Sequence, residues 1–149
     1  MAEGFTLQGA LKDDAAKLRE RDAISPADRA AGMVAIVTDA KNASRRWRVF
    51  KFGRIETTTD GGGSWRDAMP PVGITFSAAA TPAPGVCWVV GTKGGVWHLE
   101  AQSWQARAVP TDEDLVAVAA GSAREAVVTT RSGQRFATND GGRSWARQQ

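Results

Sequence analysis

From Met33 onward the apolar positions fall in short runs of β-branched, aromatic and small residues, broken by Gly, Pro, Asn and Asp. Such runs predict strands joined by tight turns. Met33–Val37, Ile74–Ala78 and Leu115–Ala119 read as the first strand of three successive units, and Trp47–Phe50, Val86–Val90 and Ala126–Thr130 as the second. Turns at Phe52-Gly53, Lys93-Gly94-Gly95 and Ser132-Gly133 return the chain into third strands near Arg54–Thr57, Val96–Glu100 and Gln134–Ala137. Fourth strands begin at Trp65, Trp104 and Trp145.

The helical period is confined to the beginning of the chain. Residues 6–23 place Leu7, Leu11, Ala15 and Leu18 on one stripe, with Lys12, Asp13, Lys17 and Arg21 elsewhere, which predicts an amphipathic helix. A second, short helix starts at Ser25: its hydroxyl caps orphan amides, Pro26 fits the first helical position and Asp28 brings negative charge to the first turn. Gly32 closes the segment. Residues 1–32 form a helical extension with two open readings, a partly ordered linker or a docking helix that covers an exposed edge of the strand region.

Within the strand region one signature occurs twice, as Thr58-Thr59-Asp60-Gly61-Gly62-Gly63-Ser64-Trp65 and as Thr138-Asn139-Asp140-Gly141-Gly142-Arg143-Ser144-Trp145. The two aspartates stand 80 positions apart, twice the roughly 40 residues of a four-stranded propeller blade. A worn third copy lies between: Trp104 follows Trp65 by 39 residues and precedes Trp145 by 41. Trp47, Trp88 and Val127 each precede a glycine (Gly53, Gly94, Gly133) by six positions. The units are therefore about 33–71, 72–110 and 111–149. The middle one runs Leu99-Glu100-Ala101-Gln102 straight into Ser103, without the aspartate or the glycine pair, so its turn is built differently.

The residue types of the signature suit a loop that must hold its own shape. An aspartate accepts hydrogen bonds from amides of its own turn, and Gly62 and Gly142 reach conformations that a Cβ disfavours. The hydroxyls of Ser64 and Ser144 can tie the loop to a neighbouring strand, and Trp65 and Trp145 anchor it by burying a large ring. Thr58 and Thr138 complete the set.

This signature resembles the Asp-box, or BNR repeat, of β-propellers such as sialidases and sortilin-type receptors. With Gly53-Arg54-Ile55-Glu56 ahead of the first copy and Val86-Cys87-Trp88-Val89-Val90-Gly91 in the second unit, the chain looks most like the photosystem II stability and assembly factor family in its bacterial forms, which often sit behind an anti-sigma-factor-like anchor. The likeness covers roughly residues 45 to 147. It implies an all-β fold, a partial β-propeller of three four-stranded blades with a short helical N-terminal extension. It also implies structural roles for Thr58, Asp60, Gly62, Ser64, Trp65, Thr138, Asp140, Gly142, Ser144 and Trp145. The same turn serves hydrolases, receptors and assembly factors, so it says little about activity.

Composition narrows the possibilities. At 149 residues with 42% hydrophobic content the chain suits one globular domain. The net charge of +3 is too small to announce a nucleic-acid partner. Cys87 is the only cysteine, which rules out an internal disulfide and reads as a small buried hydrophobe. No stretch approaches the roughly 20 apolar residues of a membrane-spanning helix, and the first thirty residues lack a signal-peptide core. As written the chain reads as unexported and cytoplasmic, although a piece of a longer anchored protein, periplasmic or membrane-associated, would read the same.

Candidate chemistry is sparse. Sialidase-type catalysis needs a tyrosine nucleophile, and the chain has no tyrosine. His98 is the sole histidine and reads as a half-exposed strand residue rather than a metal ligand. Asp112-Glu113-Asp114 reads as a solvated connection, and Gly91-Thr92-Lys93-Gly94-Gly95 lacks the spacing of a phosphate loop and reads as a hairpin turn. Arg45, Arg46 and Arg48, with Lys51 and Arg54 nearby and Trp47 interleaved, form a possible partner-binding patch. Alternation puts Arg46 and Arg48 opposite Trp47, so a solvated face is the simpler reading. No residue is assigned a catalytic, cofactor-binding or metal-binding role. The expectation is a non-catalytic protein-binding or scaffold module. A glycan-binding or sialidase-like remnant, with Trp88, Trp97 and Trp104 as stacking faces, is the alternative.

Three blades leave sheet faces uncovered, because propellers close with about four to eight. Two chains pairing into a six-bladed ring, a longer propeller of which this is one end, and capping by the N-terminal helices are the three ways to cover them.

Overall fold

The computed structural model describes residues 24–68 and 74–148. The helix expected over residues 6–23 lies outside these. The first described element is α1 (Pro26–Ala30), capped as its sequence requires: the Ser25 hydroxyl accepts the Asp28 amide at 3.1 Å. Gly32 ends it at φ +95° and the chain enters the first sheet.

Three four-stranded antiparallel sheets come next, each a meander of consecutive strands. Sheet 1 contains β1 (Met33–Thr38), β2 (Arg46–Phe50), β3 (Arg54–Thr58) and β4 (Arg66–Ala68). In sheet 2 are β5 (Phe76–Ala83), β6 (Val86–Gly91), β7 (Gly95–Glu100) and β8 (Ser103–Ala108). Sheet 3 has β9 (Leu115–Ala120), β10 (Ala126–Thr130), β11 (Arg135–Thr138) and β12 (Ala146–Gln148). The outermost strands of sheets 1 and 3 start one residue after Trp65 and Trp145, whereas β8 takes in Trp104. The two signature loops hold their tryptophans outside the ladder.

The first strands of the sheets lie side by side, with β5 between β1 and β9, as blades arranged about an axis require. Each carries a register irregularity near its start, between Met33 and Ala35, between Phe76 and Ala78, and opposite Thr129 and Thr130. A bulge bends a strand and sharpens its twist. In sheet 2 it frees Ser77, whose hydroxyl donates to the Leu115 carbonyl of sheet 3.

Two cores fill the spaces between sheets. The first joins Ala35, Val37, Trp47, Val49 and Ile55 of sheet 1 to Phe76, Cys87, Val89 and Leu99 of sheet 2. The second joins Trp88, Val90 and Val96 of sheet 2 to Leu115, Ala126, Val128 and Phe136 of sheet 3. Strand alternation makes this possible: in β6 the odd positions Cys87 and Val89 face sheet 1 while Trp88 and Val90 face sheet 3. A strand buried on both faces reads as an unbroken apolar run, which accounts for Val86-Cys87-Trp88-Val89-Val90. Cys87 is fully buried there.

Candidate functional site

The two signature loops have the same internal bonding. Thr58 Oγ donates to Asp60 Oδ1 at 2.7 Å and accepts the Gly62 amide at 3.1 Å, and Thr138 does the same for Asp140 and Gly142 at 2.7 and 2.9 Å. The carboxylates also take the Ser64 and Ser144 amides, at 2.9 and 3.0 Å, and both serine hydroxyls. The serines thus tie back to their own aspartate rather than to a neighbouring strand, because the loop is too tightly wound to release them. These bonds favour the ionised carboxylate. The Thr58 hydroxyl, then Ser64, holds Asp60 well below the usual range, and the Ser144 hydroxyl and amide, then Thr138, do so for Asp140. Each loop is also pinned to the first hairpin of its own sheet, Gly61 N donating to the Ser44 carbonyl at 2.9 Å and Gly141 N to that of Arg124 at 3.0 Å.

What lies beside the loops differs. The 138–145 loop rests on sheet 2: a Cβ at Gly142 would stand 3.0 Å from Arg107 Cγ and 3.2 Å from Trp88 Cζ3, and Trp145 meets Trp88 edge to face at 6.1 Å. Among the described residues no sheet precedes sheet 1 for the 58–65 loop to rest on. Trp65 is covered instead by Arg48 of its own sheet. Both tryptophans are half-buried rather than sealed.

The middle unit replaces the loop with a two-residue hairpin. Ala101 and Gln102 both adopt left-handed backbone, at φ 51° and 66°, between the paired Glu100 and Ser103. This is the twist a two-residue hairpin needs, made without glycine. Gln102 Nε2 donates to Asp39 Oδ2 of sheet 1 at 2.7 Å, so the substitute turn also locks two blades together.

The arginine patch does not stand free. Trp47 is buried and Arg46 and Arg48 lie on the opposite face, as alternation requires. Arg48, however, pairs through Nε with Glu56 Oε1, while Arg54 bridges Glu56 and Asp67 at 2.7 and 3.0 Å. Arg46 Nε donates to the Ala43 carbonyl at 3.2 Å. Arg48 is therefore not a solvated charge: its own sheet neutralises and covers it.

Two further expectations need correction. His98 is 1% exposed, not half-exposed, because its ring stacks on Trp88 at 3.9 Å and faces the second core. Burial, the largest cause, pushes its pKa down. Its Nε2 is buried without a hydrogen-bond partner among the described residues. Of the acidic run, Asp112 is exposed but its neighbours are bonded. Glu113 accepts the Ser132 amide and hydroxyl at 3.1 and 2.9 Å, and Asp114 accepts the Lys93 amide at 3.1 Å and pairs with Arg131 at 3.3 Å. The Asp114 carboxylate fastens the second blade's Thr92–Gly94 turn to the third, while that of Glu113 closes on Ser132 within the third blade. No local pattern signals this, since the partners lie 19 and 21 residues away.

On the far side of sheet 3, Ala119, Val127, Ala137 and Ala146 line an open cleft of about 530 Å³ with Trp145 at its rim. Among the described residues no group of three His, Cys, Asp or Glu could hold a metal ion, and no helix is long and apolar enough to cross a membrane.

The architecture is that of a partial β-propeller, three four-stranded blades with little helix. Solved structures share it at low identity. YCF48 bound to D1 peptide matches at 19% identity and a TM-score of 0.59, over 78% of this chain and 39% of that one. YCF48 from Cyanidioschyzon merolae matches at 22% and 0.58, over the same shares. The GH74 xyloglucanase from Xanthomonas campestris matches at 20% and 0.60, over 90% of this chain and 24% of that one. This chain thus spans well under half the length of these relatives. No family model and no curated protein matches it.

Proposed function

We propose that this chain is a non-catalytic binding module of the photosystem II assembly factor-like, Asp-box kind, and that its partner is a protein held on the open face of sheet 3. The observation that carries the reading is the chemistry of that face. Trp47 and Trp88 occupy one step of β2 and β6, each sealed under the next blade. The same step in β10 is Val127, half-exposed beside Ala119 and Ala137. Small side chains there leave a trough that incoming side chains can fill, and removing apolar surface from water favours docking. YCF48, whose solved structure holds a D1 peptide, is the relative that makes a protein ligand the natural choice.

A six-bladed ring of two chains is less well supported. It would press sheet 3 of one copy onto the Arg48–Glu56 face of the other, and burying that pair carries a desolvation cost.

The test is site-specific photo-crosslinking, with the reactive residue placed at Ala119 or Ala137 and, as control, at Asn42 in the first blade. Adducts with one protein from the sheet 3 positions alone support the reading. Equal adducts from Asn42, or none, count against it. The glycan-binding alternative draws on the GH74 likeness, and saturable binding on a glycan array in place of a protein adduct would favour it. Trp88 is fully buried and Trp97 and Trp104 pack against the first core, which leaves them poor stacking faces.

A further inference from the structure

Where the 138–145 loop lies on the outer edge of sheet 2, a cleft of about 260 Å³ is lined by Glu100, Arg107, Arg124, Asp140, Gly141 and Arg143. Three arginines from three separate elements meet there: β8, the turn between β9 and β10, and the loop itself. Arg107 is placed by the fold, its Nε donating to the Gly141 carbonyl at 3.1 Å and its Nη1 to the Ala106 carbonyl at 3.3 Å. Arg124 and Arg143 are exposed, and neither guanidinium has an ion pair or hydrogen bond among the described residues.

The two acids nearby, Glu100 and Asp140, oppose only part of this positive charge and leave a surplus. Both Asp140 oxygens are committed to Thr138 and Ser144, and Glu100 is exposed on β7 without an ion pair among the described residues. Beside the cleft lies the His98 imidazole. A Cβ on Gly141 would stand 3.9 Å from His98 Cε1, so the imidazole edge underlies the cleft lining, and the adjacent Nε2 is a buried polar atom with no partner among the described residues.

We propose that this cleft binds a phosphoryl dianion, as inorganic phosphate or as the head of a phosphomonoester. Planar guanidinium groups match tetrahedral oxyanions by paired N–H donation, and three of them offset the charge that Glu100 and Asp140 place nearby. The volume is below the roughly 300 Å³ at which sites for larger organic ligands begin, which fits a small ion. The site is distinct from the sheet 3 face and does not depend on it.

His98 supplies the readout, because it is the one histidine of the chain and gives a single imidazole Hε1 resonance. Inorganic phosphate is titrated into the whole protein at fixed ionic strength and at a pH above the histidine range. The expected result is a saturable shift of that resonance, which Arg124→Gln/Arg143→Gln weakens about tenfold or more and Glu100→Gln strengthens. Near-UV circular dichroism of the variants should match the parent, since the three side chains stand at the surface. O-phosphoserine giving the tighter curve assigns the site to phosphomonoesters, and phosphate the tighter one to the free ion. A shift that sodium chloride reproduces, or that survives the double substitution unchanged, overturns the proposal.

Discussion

The Arg48 guanidinium carbon stands 4.1 Å from the centre of the Trp65 ring, where in the third blade Trp145 meets Trp88 of the blade before it. The first blade thus carries its own lid over the tryptophan that the other signature loop offers to a neighbour. Charge–ring contact of this kind is worth about 0.5–2 kcal/mol. Arg48, Arg54 and Glu56 give the outer side of sheet 1 a polar face.

Glu56→Ala is expected to destabilise the chain by about 1–3 kcal/mol, because Arg48 then loses its charged partner on a half-covered face. The equivalent positions of the other sheets, Trp97 and Phe136, are apolar and pack against cores. Urea unfolding of Glu56→Ala beside an Arg45→Ala control measures the difference, and equal midpoints would argue that the pair is ornamental.

Gly142→Ala should cost more than Gly61→Ala. Both glycines have positive φ, 87° at Gly142 and 75° at Gly61, a backbone penalty of about 1–2 kcal/mol for a side chain. Only at Gly142 does the added methyl also press on Arg107 and Trp88, whereas nothing lies within 4 Å at Gly61. Paired thermal melts decide it.

Ala101→Gly or Ala101→Asn should stabilise the middle hairpin by about 0.5–1 kcal/mol, since either residue tolerates the left-handed backbone that alanine holds at φ 51°. Gln102 is left in place because it bridges to Asp39. A lowered melting temperature would show that the turn is not strained as its angles imply.

Stability should fall in acid through Asp60 and Asp140. Their folded pKa values are depressed, so the stabilisation is complete above the unfolded value of about 4 and is lost as the pH falls below it through the folded values. Asp60→Asn and Asp140→Asn should each lower stability at neutral pH and flatten the acid limb of a denaturation series.

His98 adds a milder slope at higher pH. Burial lowers its folded pKa, so the neutral ring is what the fold accommodates. Its contribution is full above the unfolded value of about 6.5 and declines as the pH drops through that value towards the folded one. His98→Phe keeps a flat ring against Trp88 and should remove the slope between neutrality and the onset of the aspartate effect.

Much of the fold was legible because strand identity here is a local matter. Trp47, Val49 and Ile55 alternate with Arg48 and Glu56 so cleanly that one face of sheet 1 can be read from spacing alone. The unbroken run at Val86–Val90 was legible as a strand, while its burial on both faces is seen only once sheets 1 and 3 pack against it. The 80-residue recurrence of the aspartate set the unit length, and the loop bonding around Asp60 and Asp140 depends on residues no more than four positions apart.

The candidate sites were a different matter, because each is assembled from residues far apart in the chain. His98 looked half-exposed until Trp88 and the 138–145 loop closed over it. Glu113 and Asp114 looked solvated until turns 19 and 21 residues away supplied their partners. Arg107, Arg124 and Arg143 are scattered through the sequence and meet only once sheet 3 leans on sheet 2.

By itself the sequence determined the strands, their order and the self-bonded loops, since backbone pairing of neighbours and hydrogen bonds within a turn need only short stretches of chain. Tertiary structure alone decided which faces are sealed, which charges are spent and which remain open. Those outcomes depend on what the adjoining sheet brings within a few ångströms, and a position in the chain carries no record of that.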